Sequence, residues 1–249
     1  MMENRIIFVD TLDSTNARMK STQTAFPHAC ALACRCQTAG RGQRGNSWEA
    51  APGLNVTMSV MLRHDRPIPA ASQFLVSEAV SVAIVDVLRR YLGDDSHVSV
   101  KWPNDIYVAD RKICGILIEN SLSGAMLAHS VAGIGLNVNQ DLFESPAPNP
   151  VSMLQVAGTR FDVAEVTEAV RAAIERLYPL CIDAPDELHR RYRAMLWRRH
   201  GLHPYVDTAT GATFMAAIED VEPSGHIILR TAAGDLRRYA FKEMQAQLS

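Results

Sequence analysis

An excess of charge of either sign is missing from this chain. Its 25 lysines and arginines stand against 27 aspartates and glutamates, for a formal net charge of -2. A general nucleic-acid binder normally carries a clear basic surplus. Long apolar runs are missing as well: no stretch of about 18 uninterrupted apolar residues, the length a membrane-spanning helix needs, occurs. The N-terminal MMENRIIFVD is charged early and offers neither the apolar run nor the small-residue cleavage site of a secretory signal. A cytoplasmic location and no membrane partner are therefore expected. Cysteine is sparse and odd in number, at Cys30, Cys34, Cys36, Cys114 and Cys181, which speaks against a disulfide framework. Three of these fall together, but without a CxxC pair or a second ligand pair at zinc spacing. The segment 29–36 reads instead as a short buried strand with small hydrophobes in it, and no metal site is expected.

What is present describes a globular core. Hydrophobic residues make up 47% of the 249 positions, ordinary for a folded domain, and the length suits one large domain or a large one with a small one. The apolar run 5–10 reads as a first strand. Asp13, Ser14 and Thr15 follow as a helix start, because short oxygen-bearing side chains satisfy exposed backbone N–H groups; that helix should reach about residue 22. A strand is expected over 55–62. Residues 72–91 carry the longest helical pattern, with Phe74, Leu75, Ala79, Val82, Ala83, Val85 and Leu88 on a broad apolar face and Gly93 at the end. Closely spaced strands at 98–101, 106–108, 113–119 and 126–133 speak for antiparallel pairing more than βαβ winding. After a proline-rich loop at 145–150, helices are expected over 163–178 and 186–199. From about His203 to Phe241 short β-type segments alternate with glycine turns, the texture of a small SH3-like barrel. The expected division is 1–200 and 201–249.

The most informative segment is the loop from Gln37 to Trp48, QTAGRGQRGNSW. Gly40, Gly42 and Gly45 spell GxGxxG, but a dinucleotide-binding loop needs a helix opening directly from it, and here the chain leads into another strand. The residues still describe an anion-binding loop. Glycines let backbone N–H groups approach a ligand, and Arg41 and Arg44 add two planar cations suited to carboxylate or phosphate. Gln37 and Trp48 flank them with a polar reader and a flat stacking surface. A second segment, Lys101 to Tyr107, brackets a Trp-Pro turn with Lys101 and Asp105, and Lys112 then enters an apolar strand. Such a lysine either caps the strand from solvent or aims into a pocket to neutralise an oxyanion. A third, Gly133-Ile-Gly-Leu-Asn137, has glycines that admit a close neighbour and an asparagine with both donor and acceptor.

Together Asp13-Ser-Thr-Asn16, the Gln37–Gly42 run with Gly45 and Trp48, Lys101-Trp-Pro-Asn-Asp105, Arg111-Lys112 with Gly115, and Gly133-Ile-Gly-Leu-Asn137 resemble the catalytic domain of biotin protein ligases. The resemblance implies an α+β fold, a mixed β-sheet flanked by helices with a small C-terminal SH3-like β domain. It implies activation of biotin with Mg-ATP to biotinyl-AMP, then transfer to a lysine of the biotin carboxyl carrier protein of a biotin-dependent carboxylase. By similarity Ser14, Thr15, Asn16, Gln37, Gly40, Arg41, Gly42, Gln43, Lys112 and Gly115 surround biotin. By similarity too, Arg41, Arg44, Trp48, Lys112 and Asn137 surround ATP and the adenylate. Lys112 would stabilise charge during adenylation with Arg41 beside it, and Asp105 would assist the incoming amine.

Two departures from the family pattern stand out. Gln43 lies where many bacterial members have an arginine that helps retain the adenylate; Arg44 is expected to compensate, and if it does not, Gln43→Arg should slow adenylate release. The catalytic pattern begins by Asp13, leaving no room for the N-terminal helix-turn-helix of bifunctional members, so DNA binding is not expected. A lipoate ligase of the same superfamily and a non-catalytic biotin-binding module are the rival readings. Self-association into a homodimer and docking of the carrier both remain open uses of an exposed sheet edge.

Overall fold

The computed structural model describes residues 5–43, 47–144 and 149–247. The chain order is β1 (Ile6–Leu12), α1 (Thr15–Ser21), β2 (Ala31–Gln37), β3 (Val56–Arg63), α2 (Phe74–Leu92), β4 (Val98–Lys101), β5 (Asp105–Val108), β6 (Arg111–Ser123), β7 (Met126–Leu136), α3 (Met153–Ala157), α4 (Val163–Leu177), α5 (Leu180–Asp183) and α6 (Pro185–Ala194). Five strands follow, β8 (His203–Asp207), β9 (Thr213–Val221), β10 (Ile227–Thr231), β11 (Leu236–Tyr239) and β12 (Met244–Ala246). The first seven strands form one sheet in the order β1-β2-β3-β7-β6-β5-β4, and the last five form a second sheet in the order β11-β10-β9-β8-β12.

The large sheet is mixed, as expected: β1 and β2 run parallel and its other pairs are antiparallel. β6 and β7 extend well beyond 113–119 and 126–133 as one long hairpin. The second predicted helix of the pair after residue 160 is shorter than expected, ending at Ala194, because the chain turns there and Leu196 and Trp197 run beside β4: Val100 N donates to Met195 O at 2.7 Å and Trp197 N to Val100 O at 2.8 Å. The second sheet is fully antiparallel, in keeping with a small C-terminal β domain. Most of the proline-rich stretch at 145–150 lies outside the described residues.

The two-residue period of a strand decides which face of the large sheet does what. On one face Val56, Met58, Val60 and Leu62 of β3, Ala132, Ile134 and Leu136 of β7, Ile106 and Val108 of β5, and Val98 and Val100 of β4 join the buried core beneath α2 and α4. The segment Ala70–Leu92, which includes α2, is long and apolar enough to cross a membrane, yet Val80, Val82, Ala83, Ile84, Val85 and Leu88 are fully buried inside the fold. Its hydrophobicity is that of a core helix. Gly93, at a φ of 86°, ends it. The alternate residues, Thr57, Ser59, Gly133, Gly135, Gly115, Asp105 and Lys101, are left for the opposite face.

Candidate active site

Those alternate residues line up across the sheet. Asp105 pairs with Gly115, Gly115 with Gly135, and Gly135 with Thr57, a single row across four strands. One step along, Ser59 pairs with Gly133 and Gly133 with Leu117. The glycines make this face a shallow floor on which other side chains rest. A Cβ on Gly133 would lie 2.9 Å from Asn16 Cγ. One on Gly115 would lie 2.9 Å from Trp48 Cζ3, and one on Gly135 2.5 Å from Trp48 Nε1. These distances are below any real Cβ contact, so the absence of a side chain is what seats Asn16 and Trp48.

Lys112 reaches this floor only through an irregularity. It lies three positions before Gly115, and in a regular strand residues three apart point to opposite faces. The register between β5 and β6 shifts between Ile106, opposite Cys114, and Tyr107, opposite Lys112. Ile113 is the extra residue of a β-bulge; it and Cys114 both go to the core, and Lys112 turns to the glycine side. There its Nζ meets Asp105 Oδ1 at 2.7 Å and stands 5.5 Å from the centre of the Trp48 ring. The pair is about a quarter exposed (27% and 26%), enough to be reached and enough covered to be felt by a ligand. Lys101, opposite Asp105 in β4, donates to Tyr107 Oη at 2.9 Å and lies over the rings of Tyr107 and Trp197. Burial lowers its pKa; Asp105 opposes that shift and Lys112 adds to it.

The polar end of the site is built by α1. Ser14 is its N-cap, accepting from Ala17 N at 3.4 Å. Thr15 donates to Gln37 Oε1 from both N (2.9 Å) and Oγ1 (3.2 Å). Ser59, fully buried, has its Oγ 2.8 Å from Thr15 Oγ1 and 2.5 Å from Asn16 Oδ1. Asn16 Nδ2 donates to Leu117 O and to Glu119, which also pairs with Lys20 at 2.7 Å. Ser14, Thr15, Asn16 and Gln37 are thus locked together at one end of the sheet.

The glycine-rich loop closes over the site. Trp48 N donates to Gly40 O at 3.0 Å, and Arg41 and Ser47 form an isolated antiparallel bridge. Gly40 belongs to this closure: a Cβ there would lie 2.6 Å from Trp48 O, and the residue does not line the cavity. Arg41, Gly42 and Gln43 do; Arg44 and Gly45 lie outside the described residues. Asn137 also lines it, with Nδ2 donating to Val151 O at 3.0 Å. Its Oδ1 and the indole Nε1 of Trp48 are buried without a partner among the described residues, and such atoms in a cavity are ones a ligand can satisfy.

The cavity holds about 950 Å³ and is also lined by Trp102, Tyr205, Phe241 and Lys242. Sequence reasoning did not foresee Ser59, Glu119 or the residues of the second sheet. The signal for Ser59 was the alternation Val-Thr-Met-Ser-Val over 56–60, in which the polar residues share a face. Nothing local marks the others. Among the described residues no group of three or more His, Cys, Asp and Glu is placed to hold a metal ion.

Comparison with known proteins fits this geometry. Residues 8–137 match the Biotin/lipoate A/B protein ligase family. The chain is 31% identical over 227 residues to the Biotin--[acetyl-CoA-carboxylase] ligase of Paracoccus denitrificans, covering 89% of this chain and 92% of that one. It is 28% identical over 250 residues to the Bifunctional ligase/repressor BirA of Bacillus subtilis, covering 96% and 74% respectively. In fold it is similar to the biotin protein ligase from Aquifex aeolicus solved with biotin and ATP, at a TM-score of 0.77 and 22% identity over 99% of this chain and 100% of that one. With a matching domain that contains every piece of the glycine floor and its loop, and a full-length relative, this chain belongs to the biotin/lipoate A/B protein ligase family.

Proposed function

We propose that the protein is a biotin protein ligase that makes biotinyl-AMP from biotin and Mg-ATP and passes the biotinyl group to a lysine of a biotin carboxyl carrier protein. The observation that carries this reading is the Lys112–Asp105 pair at 2.7 Å on a glycine floor, under a loop bearing Arg41. A cavity of about 950 Å³ is ample for a small acid beside a nucleotide. The names of the relatives favour biotin as that acid.

The first step brings two anions together. A carboxylate oxygen of biotin attacks the α-phosphorus, the bond to the β-phosphate oxygen breaks, and pyrophosphate leaves. Arg41 and Lys112 offset the repulsion, and Mg²⁺ enters with the nucleotide as part of the substrate. The Thr15–Gln37–Asn16–Ser59 cluster offers donors and acceptors to a ureido ring, and the free Nε1 of Trp48 and Oδ1 of Asn137 remain for the acid and the nucleotide. In the second step the carrier amine attacks the acyl carbon, the C–O bond to AMP breaks, and the amine gives up a proton. Asp105, the carboxylate beside the site of attack, accepts it.

The test is mass spectrometry of a biotin carboxyl carrier domain incubated with the protein, Mg-ATP and either biotin or lipoate. A biotin-sized gain is expected. Lys112→Ala should slow pyrophosphate release by roughly 100-fold or more, as loss of one preorganised charge contact does. Asp105→Asn should slow transfer from preformed biotinyl-AMP more than it slows pyrophosphate release. A gain with lipoate alone would sink the biotin reading.

A further inference from the structure

The ligase reading names the polar groups that face the acid, but not what fixes which of them donate and which accept. Glu119 stands behind those groups and does not itself line the cavity. It lies in β6 opposite Val131 of β7, on the same face as Gly115 and Leu117 by the two-residue period of the strand. Its carboxylate is divided between two residues of α1 that are four apart and share a helix face. Oε1 meets Lys20 Nζ at 2.7 Å, and Oε2 accepts from Asn16 Nδ2 at 3.0 Å. Asn16 is buried, and its Nδ2 also donates to Leu117 O at 3.3 Å.

A carboxylate and a carbonyl are both acceptors, so a buried amide between them must turn its NH2 end to them. Asn16 Oδ1 is thereby held toward Ser59, whose Oγ lies at 2.5 Å. A carbonyl oxygen has no proton to give, so the single hydroxyl proton of Ser59 goes to it. Ser59 Oγ, 2.8 Å from Thr15 Oγ1, then offers Thr15 only lone pairs. Gln37 Oε1 is an acceptor too, at 2.9 Å from Thr15 N and 3.2 Å from Thr15 Oγ1. The Thr15 proton goes to one or other of these inward acceptors. Thr15 Oγ1 thus keeps lone pairs for the cavity and Gln37 keeps Nε2 protons for it, and both residues line that cavity.

An acceptor beside a donor matches a ring with N–H next to C=O, which is what a ureido group presents. With Asn16 turned end for end, Nδ2 would face Ser59, the Ser59 proton would pass to Thr15, and Thr15 could offer its own proton to the cavity. We infer that Glu119 is a specificity-determining positioning residue. Its carboxylate sets the direction of the Asn16–Ser59–Thr15–Gln37 chain, and with it the preference for a ureido head group over one of opposite polarity. The inference rests on the reading of biotin as the acid.

Glu119→Met and Glu119→Ala remove the acceptor, Glu119→Gln keeps one in its Oε1, and Lys20→Met cuts the ion pair while leaving Asn16 its acceptor. Titration calorimetry without ATP gives the Kd for biotin and for the analogue whose ureido oxygen is replaced by an imino NH. For Glu119→Met and Glu119→Ala the Kd for biotin should rise about tenfold to hundredfold, the range for a polar group deprived of its complement, with the KM for ATP in pyrophosphate release unchanged. Preference for biotin over the imino analogue should fall with it. Glu119→Gln should recover most of the affinity, and Lys20→Met should stay within about twofold of the parent, since an exposed ion pair contributes little. An unchanged Kd or an unchanged preference in the first two variants overturns the inference. So does an equal rise in Lys20→Met, which would assign the effect to the anchoring of α1. A parent protein that binds biotin but releases no pyrophosphate overturns the ligase reading alone, and one that binds no biotin overturns both.

Discussion

Gly135→Ala tests the glycine floor with one methyl group. The added Cβ would lie 2.5 Å from Trp48 Nε1 and 2.8 Å from Cζ2, and nearer still to Cε2. Ordinary contact begins near 3.4 Å, so the indole must retreat by roughly 1 Å, and the sheet beneath cannot yield because Ile134 and Leu136 anchor β7 in the core. Overpacking of this kind costs about 1–3 kcal/mol. Trp48 sits on a loop and can move, which places the stability loss at the low end, a fall in Tm of roughly 2–4 °C for a chain of this size. Activity should suffer far more. Trp48 carries the loop that holds Arg41, and its ring faces Lys112; a shift of about 1 Å in such a group can reduce kcat/KM by about 100-fold. The assays are thermal melting and pyrophosphate release on Gly135→Ala, Trp48→Ala and the double variant. If the clash is with Trp48, the alanine at 135 costs much less stability once the indole is gone. Gly115→Ala, whose Cβ would lie 2.9 Å from the edge of the same ring, should show a smaller loss. Parent-like activity and Tm in Gly135→Ala would refute the seating of Trp48, and equal losses with and without the indole would move the cause elsewhere.

Two further outcomes follow from the polar groups on this side of the fold. Ser59→Ala leaves Asn16 Oδ1 without its buried partner and should cost about 1–2 kcal/mol, while raising the KM for biotin through the loosened Thr15–Gln37 cluster; a Tm matching the parent's would remove Ser59 from that role. His64, held at 2.8 Å between Tyr178 Oη and Ser130 Oγ, has its pKa pushed down to about 4 by burial, with His28 and His129 adding to the effect. The folded ring stays neutral while the unfolded one takes a proton, so stability is full above pH 6.5 and falls as the pH drops toward 4. The ring is partly exposed, and solvent screening reduces the full linkage value to about 1–2 kcal/mol. His64→Gln should flatten that part of the stability profile, and an unchanged slope between pH 6.5 and 4 would show that His64 does not set it.

Much of this protein was legible along the chain. The loop from Gln37 to Trp48, the Lys101–Asp105 segment and the glycines at 133 and 135 identified a family by order and spacing. The strand over 55–62 was legible, and its Val-Thr-Met-Ser-Val alternation held an unused signal that sets Thr57 and Ser59 on the face opposite Met58 and Val60, because strand periodicity is a local property of the backbone. The capping role of Ser14 and the stop at Gly93 were legible for the same reason. What only the tertiary structure decided is where these pieces meet. Lys112 and Gly115 share a face because of a bulge at Ile113, which depends on how β5 pairs with β6 and leaves no mark in the strand's own residue pattern. Gly115 and Gly135 act as one seat because β6 and β7 pair in that register, and their spacing in sequence says nothing of a shared indole. Lys242 lines the cavity because the second sheet docks on the large one, through Phe241 on Trp102, Trp102 on Gly225 O and Arg193 and Arg199 on the carbonyls of Glu219 and Ile218. Local periodicity fixes the face a side chain takes within its own strand, whereas register and docking arise from contacts between residues far apart in the chain, and those contacts exist only once the chain has folded.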